Sequence, residues 1–476
     1  MRRTKIVATL GPASADARTI AALLSTGADV VRLNLAHANA STHQRTAAIV
    51  RDEAERLKRE IGILADLPGP KMRSGVIDGD EVSLEPGQPF TLFPEEREGD
   101  ARGVSTSVDN LANLVEVGEE IFLADGAIIL RVTSVENGEV HTEVVRRGLL
   151  RSRKGMHVPR AESKIQAFTA DDEDSLDLAL SIGVDLIGLS FIRSADDMQR
   201  VRDSLTKKVK SKLKQPQLVA KIETRSAIEN LDEIVHAADA VMVARGDLGI
   251  QMPFKEVPLL QKEIIRKCNR TGTPVITATQ MLESMTHGPL PSRAEVNDVA
   301  NAVLDGTDAL MLSEETAIGH YPVATVETMS QIAEAAEGRA WSDPGAIRHD
   351  EADDRVSWAM ARSAVQAAEE LGVSAIVCPT RSGATARRVA AFRPSMPILG
   401  LGHRAETVRA LSLVWGVIPK TLAFLPEELS PNEAVPRAVE AARDEGLAKA
   451  GELVAVVAGG PEPRTGSTDF IRIVSA

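Results

Sequence analysis

The sequence predicts an α/β protein in three parts: a (β/α)8 TIM barrel, a small β-barrel lid domain inserted into it, and a C-terminal open-sheet α/β domain. Two observations carry this. Eight short, β-rich apolar runs, each followed by a helical stretch, are split into three and five by a segment of different texture. Beyond about residue 340 a polar stretch precedes a second, shorter strand and helix series. At 476 residues the chain has the length of about three domains.

The eight runs cover Lys5 to Leu10, Val30 to Leu35, Gly62 to Leu67, Asp185 to Phe191, Leu218 to Glu223, Ala240 to Gly246, Val275 to Gln280 and Ala309 to Glu314. Between them, Ala17 to Leu24, His43 to Glu60, Ala195 to Leu205 and Phe254 to Asn269 read as amphipathic helices. Such alternation makes a parallel sheet covered by helices, and eight units close it into a barrel. No internal repeat beyond the alternation is evident. The interruption has Pro/Gly turns, alternating strands and a hairpin pattern from Val132 to Val144. Inserted after the third strand, at the rim, it would hang over the barrel mouth as a lid. After a linker marked by Ser342-Asp-Pro-Gly and the acidic His349 to Asp354, a helix (Val356 to Leu371), a strand (Ala375 to Cys378), a helix (Ala384 to Phe392) and a later strand (Leu453 to Val457) suggest an open sheet. The expected boundaries are 1–67 and 159–340 for the barrel, 68–158 for the lid and 341–476 for the C-terminal domain.

Composition narrows the function. A formal charge of -13 and the scarcity of aromatic residues (9 Phe, 3 Trp, 1 Tyr) disfavour nucleic-acid binding. Two cysteines, Cys268 and Cys378, form neither a disulfide framework nor a zinc spacing, which fits a reducing cytoplasm. Neither a signal-peptide h-region nor an uncharged spanning run is seen, so a soluble, cytoplasmic protein without membrane partners is expected.

Catalytic groups of such barrels gather at the C-terminal strand ends, which here carry Arg32 and Asn34, Asp66, Lys221 and Glu223, Arg245 and Asp247, and Thr277 and Thr279. Lys221 and Glu223, two residues apart, share one face of a strand. Alone they read equally well as a structural ion pair. Asp247 on the neighbouring strand adds a second carboxylate, and without His or Cys nearby the pair suits Mg²⁺ or Mn²⁺. The Gly246 and Asp247 amides offer an anion-binding turn, although a Gly-rich loop of this kind is commonly only structural. With Arg32 and Arg73 converging, the set describes phosphoryl transfer, which needs charge neutralisation and positioning more than covalent chemistry. Two other readings stay open: a Mg²⁺ enolate lyase or aldolase, and a catalytically poor regulatory paralogue. The basic run Lys207 to Lys214 reads as a solvated helix face.

The motifs Thr4-Lys-Ile-Val-Ala-Thr-Leu-Gly-Pro-Ala-Ser14, Arg32-Leu-Asn34, Lys221-Ile-Glu223, Met242-Val-Ala-Arg-Gly-Asp-Leu-Gly249, Ile276-Thr-Ala-Thr-Gln-Met-Leu282 and Arg293 to Asp308 resemble pyruvate kinase along essentially the whole chain. The resemblance implies phosphoenolpyruvate and ADP as substrates, pyruvate and ATP as products, and a homotetramer with an effector-binding C-terminal domain. It implies Glu223 and Asp247 as ligands of Mg²⁺ or Mn²⁺, Lys221 as the group stabilising the phosphoryl in flight, and Arg32 on the substrate phosphate. Gly246, Asp247 and Thr279 match the carboxylate-binding corner, Thr279 also the enolate-protonation relay. Asn34, His37, Arg73 and Lys154 match nucleotide-side positions. Thr380, Ser382, Gly383, Ala384 and Thr385 match a sugar-phosphate or nucleotide effector loop, with Gly466-Ser-Thr468 as a second wall; read from the residues alone, the turn is as well explained as a helix cap.

Some positions depart from the family pattern. Ala36 lacks a hydroxyl that usually coordinates K⁺, Leu67 replaces a Thr beside Asp66, and Lys71 stands where K⁺-dependent members carry Glu. Asn34 and Asp66 then remain as a vestigial K⁺ site and Lys71 supplies the charge, so K⁺-independent activity is expected. Arg160, Ala170-Asp171 and Glu314 are further departures that bear on kinetics.

Overall fold

The computed structural model describes residues 1–108, 110–124, 126–159, 165–211, 215–340, 354–422, 431–459 and 468–476. Arg160, the linker from 342 to 353, Lys212 to Lys214, Gly466 and Ser467 lie outside them.

Eight parallel strands close into a barrel: Lys5–Leu10, Val30–Asn34, Gly62–Asp66, Leu186–Leu189, Gln217–Ile222, Ala240–Ala244, Val275–Ala278 and Ala309–Leu312, here strands one to eight. Each coincides with one of the apolar runs read from sequence. The second helix differs, running Ala40–Arg56 rather than from His43 to Glu60. Asn39 caps its start by accepting from Thr42 N, and Lys58, left-handed at φ 54°, turns the chain after its end.

The insert forms a six-stranded mixed sheet, curled into a half-barrel, beside a two-stranded one. Its own apolar cluster includes Phe90, Leu92, Ile121, Leu130 and Val140. The hairpin Ile128–Glu136 and Glu139–Arg146 turns at Asn137 and Gly138, both at positive φ (51° and 86°), as a turn matched to strand twist requires. Outgoing and returning chains are tied together at the barrel: Ser74 N donates to Lys154 O (2.8 Å), Lys154 N to Ser74 Oγ (3.0 Å) and Met156 N to Met72 O (2.9 Å).

The C-terminal sheet has five strands in the order Val417–Thr421, Ile398–Gly402, Ala375–Pro379, Leu453–Ala458, Phe470–Ser475, the last antiparallel. It meets the barrel floor. Leu413 packs among Val7, Val30, Leu64 and Met311 inside the barrel base, and Lys5 Nζ donates to Val417 O (2.7 Å).

A further repeat, unseen in the sequence, appears on that floor. Gly27-Ala-Asp29, Gly183-Val-Asp185, Ala237-Ala-Asp239 and Gly306-Thr-Asp308 each precede an even-numbered strand. Each carboxylate accepts the N–H of a residue at the base of the neighbouring odd strand: Ile6 (3.0 Å), Ile63, Leu218 and Val275 (2.9 Å each). Each also holds a cation: Asp29 pairs with Arg2 and Arg59, Asp185 with Arg51 and Arg409, Asp239 with Arg202, and Asp308 with Arg393. Four weakly similar tripeptides are below what periodicity detects, and only the shared bonding makes them a repeat. Arg409 and Arg393 come from the C-terminal domain, so docking supplies the cation of the Asp308 staple and a second cation for that of Asp185.

Arg393, almost fully buried, also donates to Asn269 Oδ1 and Gly306 O and lies over the Trp415 ring at 4.8 Å. Arg393→Ala leaves Asp308 buried without its cation, and a loss of about 3 kcal/mol in urea denaturation is expected; a change under about 0.5 kcal/mol, the size of an ordinary surface substitution, would show the pair to be idle. Lys5 gives a pH signature. Burial holds its pKa down to about 8, Asp29 offsetting this only in part. From there to about 10.4, its ordinary value, the unfolded chain keeps a proton that the folded chain has released. Stability therefore rises with pH across that window. The melting-temperature difference between wild type and Lys5→Met should shift in favour of wild type as pH climbs through it; a difference flat in pH would contradict the burial.

Candidate active site

Side chains from strands two, three and five converge at the barrel mouth. Arg32 donates through Nε (2.8 Å) and a terminal nitrogen (2.6 Å) to the same oxygen of Asp66, and through its other terminal nitrogen to Thr9 Oγ1 (3.1 Å). The second Asp66 oxygen lies 3.2 Å from Lys221 Nζ, which is 2.9 Å from Glu223 Oε1 and donates to Ser190 Oγ at 2.8 Å. Gly188 in strand four leaves the space for this: a Cβ there would stand 3.0 Å from Asp66 Oδ1. The array is sealed, with Asp66 2% and Glu223 1% exposed.

Burial by itself would lower the pKa of Lys221, but Asp66 and Glu223 outweigh it and hold the ammonium charged. Burial would likewise raise Asp66, and Lys221 and Arg32 instead hold it below the usual carboxylate range. Glu223 ends on the other side: burial pushes it up, Lys221 opposes, and Asp247 pushes further. Its Oε1, although within ion-pair reach of Lys221, accepts no hydrogen bond in this arrangement.

Those facts test the fit of a divalent cation. Glu223 and Asp247 are hard oxygen donors, Asp247 half-buried at the start of helix Arg245–Gln251, and the repulsion between them, which adds to burial in raising Glu223, is what a cation offsets. Among the described residues no three His, Cys, Asp or Glu side chains gather as a metal cage. Two carboxylates with the remaining positions left to water and substrate phosphate is how Mg²⁺ is commonly held. The donor set fits.

Thr279, at the end of strand seven, is left-handed at φ 66°, and Gln280 follows at 53°. Two consecutive non-glycine residues in this region cost energy and need enforcement. Arg245 supplies it, donating to Ala278 O (3.1 Å) and Thr279 O (2.6 Å) while pairing with Asp298 at 2.8 Å. Thr279 Oγ1 thereby accepts Gly246 N (2.9 Å) and donates to Ala278 O (2.7 Å). The Gly246 amide assigned from sequence to an anion is here bonded to the Thr279 hydroxyl.

On the lid side, desolvation and then the charges of Arg73, Lys71 and Arg32 shift His37 down. Asn34 Oδ1 accepts Ala36 N (3.2 Å). Arg73 donates to Arg153 O (3.3 Å), beside the exposed Lys154, on the two tied hinge segments. Lys71 and Asp247 line one cleft between lid and barrel with Phe122, His157, Phe191 and Thr224.

The effector-type residues are not part of this mouth. They lie in the C-terminal domain, where Thr380 Oγ1 accepts Gly383 N (2.9 Å), Arg387 donates to Ser382 O (2.9 Å) and Ala384 and Thr385 open helix Ala384–Ala391. Thr385 Oγ1 is 3.0 Å from Thr468 Oγ1. Of the basic run read as a helix face only Lys207 and Lys208 lie in helix Ala195–Lys208, where Lys208 pairs with Glu173 and Asp177; Lys210 follows the helix end and 212–214 lie outside the described residues. Three residues at the mouth escaped the sequence reading. Ser190 and Phe191 close strand four, whose end bears no charge, and Arg245 was seen but given no role; the left-handed Thr279-Gln280 pair that explains it has no sequence mark.

Comparison with known proteins follows this geometry. The family model "Pyruvate kinase, barrel domain" matches residues 1–326 and "Pyruvate kinase, alpha/beta domain" matches residues 358–474. Pyruvate kinase of Thermococcus litoralis is 41% identical over 99% of this chain and 98% of its own length. That of Geobacillus stearothermophilus is 41% identical over 99% of this chain and 80% of its own length, and that of Thermotoga maritima 37% identical over 100% and 99%. With both domain models matched in order and relatives aligned end to end, the chain belongs to the pyruvate kinase family.

Proposed function

We propose that the protein transfers a phosphoryl group from phosphoenolpyruvate to ADP in a Mg²⁺-dependent (or Mn²⁺-dependent) reaction, giving pyruvate and ATP. The observation that carries it is a pair of cations, Arg32 and Lys221, held at the barrel mouth by Asp66 and Glu223. In the reaction the ester P–O bond of phosphoenolpyruvate breaks, a P–O bond to the terminal ADP phosphate forms, and the enolate left behind takes a proton at its methylene carbon.

Arg32, oriented by Asp66 and Thr9, holds the substrate phosphate. Lys221 balances the charge spread over the phosphoryl oxygens in transit, where a fixed charge in a water-poor site acts without reorganising. The Asp247 amide takes the substrate carboxylate, joined by the Gly246 amide and the Thr279 hydroxyl as they exchange their bonds to each other and to Ala278 O for it, and Thr279 passes the proton to the enolate. Asn34, His37, Arg73 and Lys154 receive the nucleotide phosphates from the hinge. Glu223 and Asp247 would hold the divalent cation, whose chemistry when bound is to neutralise phosphate and enolate oxygens.

The same reading covers the rest of the chain. The three-domain partition is supported by separate apolar clusters in barrel, lid and C-terminal sheet. A homotetramer is supported by exposed Leu259, Val296 and Leu304 on consecutive barrel helices and by exposed Leu290, Ile318 and Tyr321. A sugar-phosphate or nucleotide effector suits the hydroxyls of Thr380, Ser382 and Thr385 with Thr468 beside them. Two free, buried thiols suit a cytoplasmic enzyme.

A coupled assay of ADP-dependent pyruvate formation tests the activity. Lys221→Met should fold and bind substrate yet lose about 3 kcal/mol or more of transition-state stabilisation, roughly a hundredfold or greater fall in kcat; near-wild-type turnover would remove Lys221 from the reaction. We also propose that activity is independent of K⁺, with Lys71 standing for the ion beside the vestigial Asn34 and Asp66. The joint departures at Ala36, Leu67 and Lys71 support it, as does the place of Lys71 on the cleft it shares with Asp247. Replacing K⁺ by tetramethylammonium at constant ionic strength should leave turnover nearly unchanged, and Lys71→Glu should lower it. An enzyme silent until K⁺ is added would refute the substitution.

A further inference from the structure

Strand four, Leu186–Leu189, ends on a corner that touches both members of the Lys221 and Glu223 pair. Ser190 Oγ accepts from Lys221 Nζ at 2.8 Å and donates its own proton to Leu67 O at 2.8 Å. One residue on, Phe191 N donates to Glu223 Oε2 at 2.8 Å. Because the serine proton is committed to a carbonyl, a lone pair faces Lys221, and the contact exists only with Lys221 as donor.

The corner is strained and packed from the lid side. Phe191 has φ +56°, a region an aromatic residue enters only where its surroundings impose it. Gly69, at φ +65° in the Pro68-Gly69-Pro70 entry to the lid, lies close enough that a Cβ on it would stand 2.8 Å from Ser190 Cβ and 3.1 Å from Phe191 Cδ2. Gly69 is fixed in turn by its N–H, which donates to Asp172 Oδ1 at 2.9 Å.

We propose that Ser190 is a positioning residue for Lys221, with the strained Phe191 amide fixing Glu223 from the same corner. The claim rests on the assignment of Lys221 to phosphoryl transfer. An ammonium between carboxylates alone, Asp66 at 3.2 Å and Glu223 at 2.9 Å, settles toward whichever is nearer. A neutral acceptor at a third fixed point sets its direction without cancelling the charge it offers to substrate.

Steady-state kinetics of Ser190→Ala, Lys221→Met and the double variant test this. Misplacing a catalytic group by about 1 Å costs up to about a hundredfold. Ser190→Ala should therefore lower kcat by about 10- to 100-fold, with KM for phosphoenolpyruvate within about threefold and an unchanged melting temperature. In the Lys221→Met background the same change should cost less than about twofold, since residues acting as a unit are not additive. Turnover of Ser190→Ala above about half that of wild type overturns the proposal. So does a full additive loss in the double variant, which would mean that Ser190 serves the fold and not Lys221. Wild-type turnover in Lys221→Met would instead overturn the phosphoryl-transfer assignment, and the positioning role with it. Should Ser190→Ala not fold, Ser190→Thr keeps the hydroxyl: turnover within about threefold of wild type supports the role, and a fall of about tenfold or more overturns it.

Discussion

Asp66 binds Arg32 with one carboxylate oxygen and faces Lys221 with the other, at a depth where desolvation alone would drive Asp66 and Lys221 toward neutrality. Attraction between Asp66 and both cations, and between Glu223 and Lys221, reverses that and outweighs the repulsion of the two cations for each other. A buried array of this kind adds little net stability, since Coulomb gain and desolvation cost nearly cancel. It fixes two cations a few ångströms apart at the open end of the barrel, with guanidinium and ammonium already oriented before any substrate arrives. The surroundings serve that arrangement. Gly188 leaves room for the carboxylate, Thr9 takes the third guanidinium donor, and Glu223 completes the charge balance around Lys221.

The opposite end of the barrel uses the same chemistry for another purpose. Four aspartates cap the bases of the odd strands and each is paired with arginine, three of them (Asp29, Asp185 and Asp308) buried and Asp239 half-buried. Two of the arginines, with Leu413 and Trp415, belong to the C-terminal domain, which makes docking part of how the barrel's own charges are satisfied. Barrels commonly divide in this way, stability at the N-terminal face and chemistry at the C-terminal one. The helix that starts at the hydroxyl-rich turn near Thr380 ends two residues before Arg393, so that loop and the floor ring are joined by a single helix.

Some of the backbone strain lies at the mouth. Phe191, Thr279 and Gln280 are left-handed without being glycine; Glu223 accepts from Phe191 N, and Arg245 donates to Thr279 O. The price is justified if those corners aim a hydroxyl or an amide at a point that regular strand geometry cannot reach.

The barrel, the insert and the charged members of the site were legible in the sequence because their signals are local. Apolar runs alternate with helical stretches whatever surrounds them, Asn137-Gly138 dictates its turn through positive φ alone, and Lys221 and Glu223 share a strand face by spacing. Helix boundaries were legible only roughly: Asn39 began the second helix before its apolar pattern did, because capping is decided by one side-chain bond. The Asp66 bridge between Arg32 and Lys221, the Ser190 corner, the Arg245 grip on Thr279 and the fourfold floor ring were decided by the tertiary structure. Each joins residues far apart in the chain through a hydroxyl, a carbonyl or a buried carboxylate. Such groups acquire meaning only when closure of the barrel sets them within hydrogen-bond distance and removes the water that would otherwise satisfy them.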